Sequence, residues 1–140
     1  MVGRMKPLPG TGGVPVPESS RIPLSLYIHW PWCVRKCPYC DFNSRPVMGA
    51  LPTETYVSLL LRDLESQLEY LRPGRRLETI YIGGGTPSLM AGKEIGTLLQ
   101  GVRNLIEVSP ECEISMEANP GTVESDSLIR YREAGVNRLS

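Results

Sequence analysis

Hydrophobic and polar positions alternate cleanly once the chain passes residue 23. Leu24, Leu26, Ile28 and Trp30 interleave with Ser25, Tyr27 and His29, the period-two pattern of a strand with one face in a core. Pro31 stops it. From Trp32 to Pro52 no period of either kind is sustained, and three cysteines, three prolines and a glycine crowd the segment, which predicts a long functional loop. A helix is predicted from Thr53, read as its N-cap. Glu54 sits near the positive end of the helix dipole, and Tyr56, Leu60, Leu64, Leu68 and Leu71 recur at helical spacing. Pro73 and Gly74 end it.

The β-branched and aromatic run Thr79 to Ile82 breaks into Gly83, Gly84 and Gly85, so a second strand feeds a glycine turn. Ile95, Leu98, Leu99, Val102 and Ile106 mark one face of a second helix. A third strand is predicted over Cys112 to Glu117, with Cys112, Ile114 and Met116 on the core side and Glu113, Ser115 and Glu117 opposite. Asn119, Pro120 and Gly121 terminate it. A third helix runs from about Ser125 to Ala134, with Leu128, Ile129 and Tyr131 as its apolar positions and Gly135 as its stop. Asn137 to Ser140 reads as the opening of a fourth strand.

Strands and helices alternating in this way predict an α/β fold with right-handed crossovers and a parallel sheet. About three β/α units and the start of a fourth strand cannot close a barrel, so the chain reads as the N-terminal part of a longer protein. In β/α barrels the loops after the strands gather at one rim. The cysteine loop, the triple glycine and the turn after Glu117 would share it.

Composition narrows the setting. Of 140 residues, 41% are hydrophobic and 21% charged, enough for one globular domain. Fifteen basic and fifteen acidic side chains cancel, with no basic run to grip nucleic acid or a membrane surface. Residues 1–23 hold five prolines and four glycines and no apolar signal-peptide core, predicting a disordered lead-in before a domain over 24–140. No stretch approaches the roughly 18 to 20 apolar residues of a membrane span. Without a secretory signal, the four cysteines are expected as reduced thiols in a cytoplasmic protein.

Cys33-Val34-Arg35-Lys36-Cys37-Pro38-Tyr39-Cys40 has the form C-x3-C-x2-C. Three thiolates this close can hold three corners of a 4Fe-4S cubane and leave the fourth iron open for a substrate. The alternative is a zinc module, but structural zinc takes four ligands, usually as two separated pairs. His29 could in principle serve as a fourth, although a polar strand position beside a core is the plainer account of a lone histidine. Cys112 falls on an apolar face and reads as a packing residue.

C-x3-C-x-aromatic-C after a strand resembles the signature of the radical-SAM superfamily. Tyr27-Ile28-His29-Trp30-Pro31-Trp32-Cys33 is similar to its oxygen-independent coproporphyrinogen III oxidase family. The oxidases proper carry a further cysteine two residues after the third cluster cysteine, where this chain has Phe42. Together with Glu117-Ala118-Asn119-Pro120-Gly121-Thr122, that places the likeness with the heme-chaperone (HemW) subgroup. The resemblance implies the first part of a radical-SAM partial (β/α) barrel, with Cys33, Cys37 and Cys40 as cluster ligands. S-adenosylmethionine (SAM) would chelate the open iron through its amine and carboxylate. A one-electron reductant would be needed, and heme and heme-accepting proteins would be partners of the complete protein. The runner-up is a coproporphyrinogen III oxidase.

The same resemblance assigns SAM contacts to Tyr27, Tyr39, Gly84, Gly85, Thr86 and Glu117. The glycine turn, Glu117 and Tyr27 also have plainer readings. Glycines after a strand can simply make a turn, although they also let backbone approach a ligand. Gly83-Gly84-Gly85-Thr86-Pro87 lacks the nucleotide P-loop form. Glu117 could be a solvated strand-end carboxylate and Tyr27 ordinary packing, while Tyr39, wedged between two of the cysteines, could shield the cluster and lie against the adenine. No side chain is needed as acid, base or nucleophile, because the chemistry would belong to the cofactors.

Overall fold

The structure, a computed structural model, describes residues 22–122 and 125–140. The lead-in predicted over 1–23 therefore lies outside the described residues, apart from Ile22 and Pro23. Strand β1 (Leu24–Trp30) follows the predicted alternation, burying Ile28 and Trp30. Two short strands, β2 (Trp32–Cys33) and β3 (Arg45–Pro46), then pair in parallel and close the cysteine segment into a loop. No periodicity predicted them, because two residues cannot display one.

Helix α1 covers Thr53–Gln67 and is prolonged by a 3-10 turn, Leu68–Tyr70. Thr53 is its first helical residue and not its cap, a correction to the sequence reading. Pro52 holds the cap position, its carbonyl accepting the Tyr56 N–H at 2.9 Å, and no side chain caps the helix. Strand β4 (Leu77–Gly84) runs on into the glycines. Helix α2 (Gly92–Leu105) buries Ile95, Leu98, Leu99 and Val102 as predicted.

Strand β5 (Val108–Met116) begins four residues earlier than the expected Cys112 and ends one short of Glu117. Pro110 concealed the early part, since proline interrupts a ladder. It is accommodated where the register against β4 shifts, between Leu77 and Thr79. Helix α3 (Ser125–Ala134) stops at Gly135, whose φ of +110° is the left-handed conformation expected there. Its apolar face is narrower than predicted. Tyr131 is buried, but Leu128 and Ile129 stand exposed. Strand β6 (Arg138–Leu139) falls within the fourth strand expected over Asn137 to Ser140, starting one residue later.

Four strands make one parallel sheet in the order β1-β4-β5-β6. Its apolar face carries Ile28, Ile80, Ile82, Ile114 and Met116, packed with α2 in a single core that includes Cys112. The opposite face is polar and arranged in rows, because strand side chains alternate and the register aligns them. Tyr27, Tyr81 and Ser115 share one row, and His29 and Gly83 the next, with Glu117 beyond the end of β5. Among the described residues no helix is long and apolar enough to cross a membrane.

Candidate cofactor-binding site

The loops after β1, β4 and β5 enclose an open cleft of about 970 Å³. Cys33, Cys37 and Cys40 lie along one part of its wall, Gly84, Gly85 and Thr86 along another, and Glu117 closes a third. Tyr39 also reaches the cleft and is 87% exposed. Tyr27 does not line it. Eight of the nine residues assigned from the sequence thus come together, and the ninth stands one row behind.

Backbone bonds fix the cysteine loop at both ends. Arg45 N–H donates to the Pro31 carbonyl and Val47 N–H to that of Cys33, each at 2.8 Å. Within the loop, Cys40 N–H bonds the Cys37 carbonyl at 3.1 Å. The Lys36 ammonium donates to the Phe42 and Ser44 carbonyls at 3.3 and 3.2 Å, bridging the loop internally. His29 adds a further tie. Its Nε2–H donates to the Asn43 carbonyl at 2.8 Å, which leaves Nδ1 to accept the Tyr27 hydroxyl at 2.9 Å. Both ring nitrogens are therefore engaged, Nε2 with the loop and Nδ1 with Tyr27 on β1, and the reading of His29 as a fourth metal ligand gives way to one of support. Beneath the loop, Trp30, Trp32 and Tyr56 pack as an aromatic knot with centroids 4.7 to 5.7 Å apart.

Among the described residues no three His, Cys, Asp or Glu side chains converge so that they could hold a single metal ion. A cubane asks for something different, one thiolate at each of three separate irons. Three cysteines spread along one wall of the cleft would suit that demand better than four-coordinate zinc, which wants four converging ligands. Cys33 is buried and the other two are half-buried.

The glycine turn faces the cleft as backbone because it has no room for anything else. Gly84 has φ +113°, and a Cβ there would lie 2.6 Å from the His29 ring. A Cβ on Gly85 would meet the Trp32 carbonyl oxygen at 2.5 Å. These contacts follow from two bonds that dock the turn on β1 and β2: Gly85 N–H to the Trp30 carbonyl at 2.6 Å, and Thr86 N–H to that of Trp32 at 2.7 Å.

Glu117 accepts the Tyr81 hydroxyl at Oε1, 2.6 Å, and the Gly84 N–H at Oε2, 3.0 Å. One carboxylate thus joins the β4 turn to the end of β5 and still presents a negative charge to the cleft, suited to an ammonium, a sulfonium or ribose hydroxyls. The bond to Glu117 pushes the Tyr81 phenol up to about 12, with desolvation adding to it. Tyr27 stacks on Tyr81 with centroids 6.0 Å apart and planes at 22°. Desolvation first, and the Glu117 charge second, push its phenol up. Tyr27 therefore bears on the cleft through Tyr81 and His29. Sequence reasoning passed over Tyr81, although its strand parity with Tyr27 placed both on the polar face.

A parallel sheet with three cysteines after its first strand, a glycine turn after the next and a carboxylate after the third defines a radical-SAM core. The family model described as the Radical SAM superfamily matches residues 27–140, and the chain belongs to that superfamily. Within it, the chain is similar to the heme chaperone HemW of Escherichia coli, 57% identical over 118 residues, covering 84% of this chain and 31% of the relative. It is also similar to the heme chaperone HemW of Haemophilus influenzae, 47% identical over 121 residues, covering 84% and 32%. Among solved structures it resembles the coproporphyrinogen III oxidase (HemN) of Escherichia coli, described as a radical SAM enzyme. The TM-score is 0.67 at 32% identity, over 84% of this chain and 27% of that one. The chain spans about a third of the length of the curated relatives it matches.

Proposed function

We propose that this chain is the cofactor-binding part of a HemW-like heme chaperone. In this reading Cys33, Cys37 and Cys40 hold a 4Fe-4S cluster. Gly84, Gly85, Thr86 and Glu117 receive the methionine and ribose parts of SAM, Tyr39 covers the adenine or the cluster, and Tyr27 orders the site from behind. The observation that carries it is the meeting of cysteines, glycine turn and carboxylate in one cleft. When bound, cluster and SAM would supply one-electron reduction of a sulfonium. The chain's own residues do the rest. The thiolates ligate, the backbone of the glycine turn approaches without a side chain in the way, and Glu117 offers charge to a cationic ligand. Heme, a heme-accepting protein, a one-electron reductant and a cytoplasmic setting belong to the complete protein under this proposal.

A second reading, coproporphyrinogen III oxidation, draws on the likeness to HemN. Phe42, exposed on the loop where the oxidases carry a cysteine, favours the chaperone. Two assays on the complete, cluster-loaded protein separate them. The chaperone reading expects heme to bind and pass to an apo-hemoprotein, with coproporphyrinogen III left unchanged in the presence of SAM and reductant. Formation of protoporphyrinogen would overturn it.

A further inference from the structure

Two buried residues that do not line the cleft hold together two loops that do. Tyr131, on α3, is 1% exposed, and its hydroxyl donates to the Met90 carbonyl at 2.7 Å, with the Ser88 carbonyl 3.2 Å away sharing the proton. Both carbonyls belong to the 3-10 turn Pro87–Leu89 and its cap, which continue directly from the glycine turn. Ser88, itself 4% exposed, accepts the Asn119 N–H at its Oγ, 3.0 Å away. Asn119 lies two residues beyond Glu117. Helix α3, the extension of the glycine turn and the turn after β5 are thus joined in series through two hydroxyls. The sequence offered Tyr131 only as an apolar helix position, and apolar packing does not require its hydroxyl.

We propose that Tyr131 is a positioning residue for the SAM cleft. Acting through Ser88, it sets the spacing between Gly84–Thr86 on one side and Glu117–Asn119 on the other, although it touches neither cluster nor ligand. The proposal rests on the cofactor reading above and deepens it. Burial is the main reason the Tyr131 phenol is pushed up, which favours its protonated, donating form. The cleft demands such control. Gly85 and Thr86 dock on β1 and β2 from one side, Glu117 bonds Gly84 from another, and a shift of the Ser88 turn would change the approach of both to a ligand lying between them.

The test uses the complete protein with its cluster reconstituted under anaerobic conditions. SAM dissociation constants are measured by equilibrium dialysis for the parent, Tyr131→Phe, Ser88→Ala and Val57→Ala, the last a core truncation on α1 away from these bonds. The two hydroxyl deletions are expected to keep parental iron and sulfide and to weaken SAM binding about five- to tenfold, the scale of one hydrogen bond. Val57→Ala is expected to lose at least as much thermal stability while binding SAM within about twofold of the parent. Amide exchange at Asn119, followed without cluster or SAM, should quicken in both hydroxyl variants. Unchanged SAM affinity in Tyr131→Phe with its cluster intact would overturn the proposal, as would an equal loss in Val57→Ala. Should Tyr131→Phe fail to fold, Ser88→Ala decides by the same criteria. A parent that does not bind SAM would sink the cofactor reading; Asn119 exchange would then decide the strut alone, and unchanged exchange would overturn it.

Discussion

Glu117 gains its importance from what it does with both oxygens at once. One carboxylate accepts Tyr81 and Gly84, so a single charge fixes a strand tyrosine and the positive-φ residue of the glycine turn. The Tyr81 proton reports on this. Its folded pKa of about 12 lies above the ordinary phenol value near 10. Whatever stability the bond contributes is therefore fully present below pH 10 and is lost as pH rises through about 12. In Glu117→Gln the neutral amide no longer holds the proton. An NMR titration with ring-labelled tyrosine should find Tyr81 at least about one unit lower than in the parent. Glycines and a strand-end carboxylate announce themselves in a sequence by position and type, which is why Gly84 and Glu117 were legible. The partners of Tyr81, Ser88 and His29 were not. Glu117 for Tyr81, Asn119 for Ser88 and Asn43 for His29 are set by the register of segments 14 to 36 residues away, which no local pattern encodes.

At the scale of elements, α2 carries the core against which the site is built. Leu99 is fully buried there among Ile95, Leu98 and Val102 and the apolar face of the sheet. Truncation of Leu99 to alanine is expected to cost about 2 to 5 kcal/mol in a chemical denaturation experiment, through lost transfer energy and the cavity left behind. A cost under about 1 kcal/mol would mean that this helix does not pack as described. The alternation of strands and helices was readable because each apolar stripe has its own period. Boundaries were less so: Pro110 hid the first four residues of β5, and the extent of β4 was masked by glycines that carry no hydrophobic signal. The face of α3 was overestimated for another reason. Leu128 and Ile129 have core-type side chains, but in this chain only Tyr131 of the three is turned into the core.

For the molecule as a whole, the sheet divides its labour by face and by end. Helices and core occupy one face, polar rows the other, and the loops after β1, β4 and β5 place thiolates, backbone and carboxylate around one cleft. The parallel order β1-β4-β5-β6 brings about that meeting, because every loop following a strand then emerges at the same end. The central claim is that this cleft holds a cluster with an iron free for SAM. Electron paramagnetic resonance of the anaerobically reconstituted and reduced protein, recorded with and without SAM, tests it most directly. Expected are about four irons and four sulfides per chain, and a cluster signal that shifts when SAM is added and vanishes when Cys33, Cys37 or Cys40 is replaced by serine. One zinc per chain without sulfide, or a cluster signal indifferent to SAM, would contradict it.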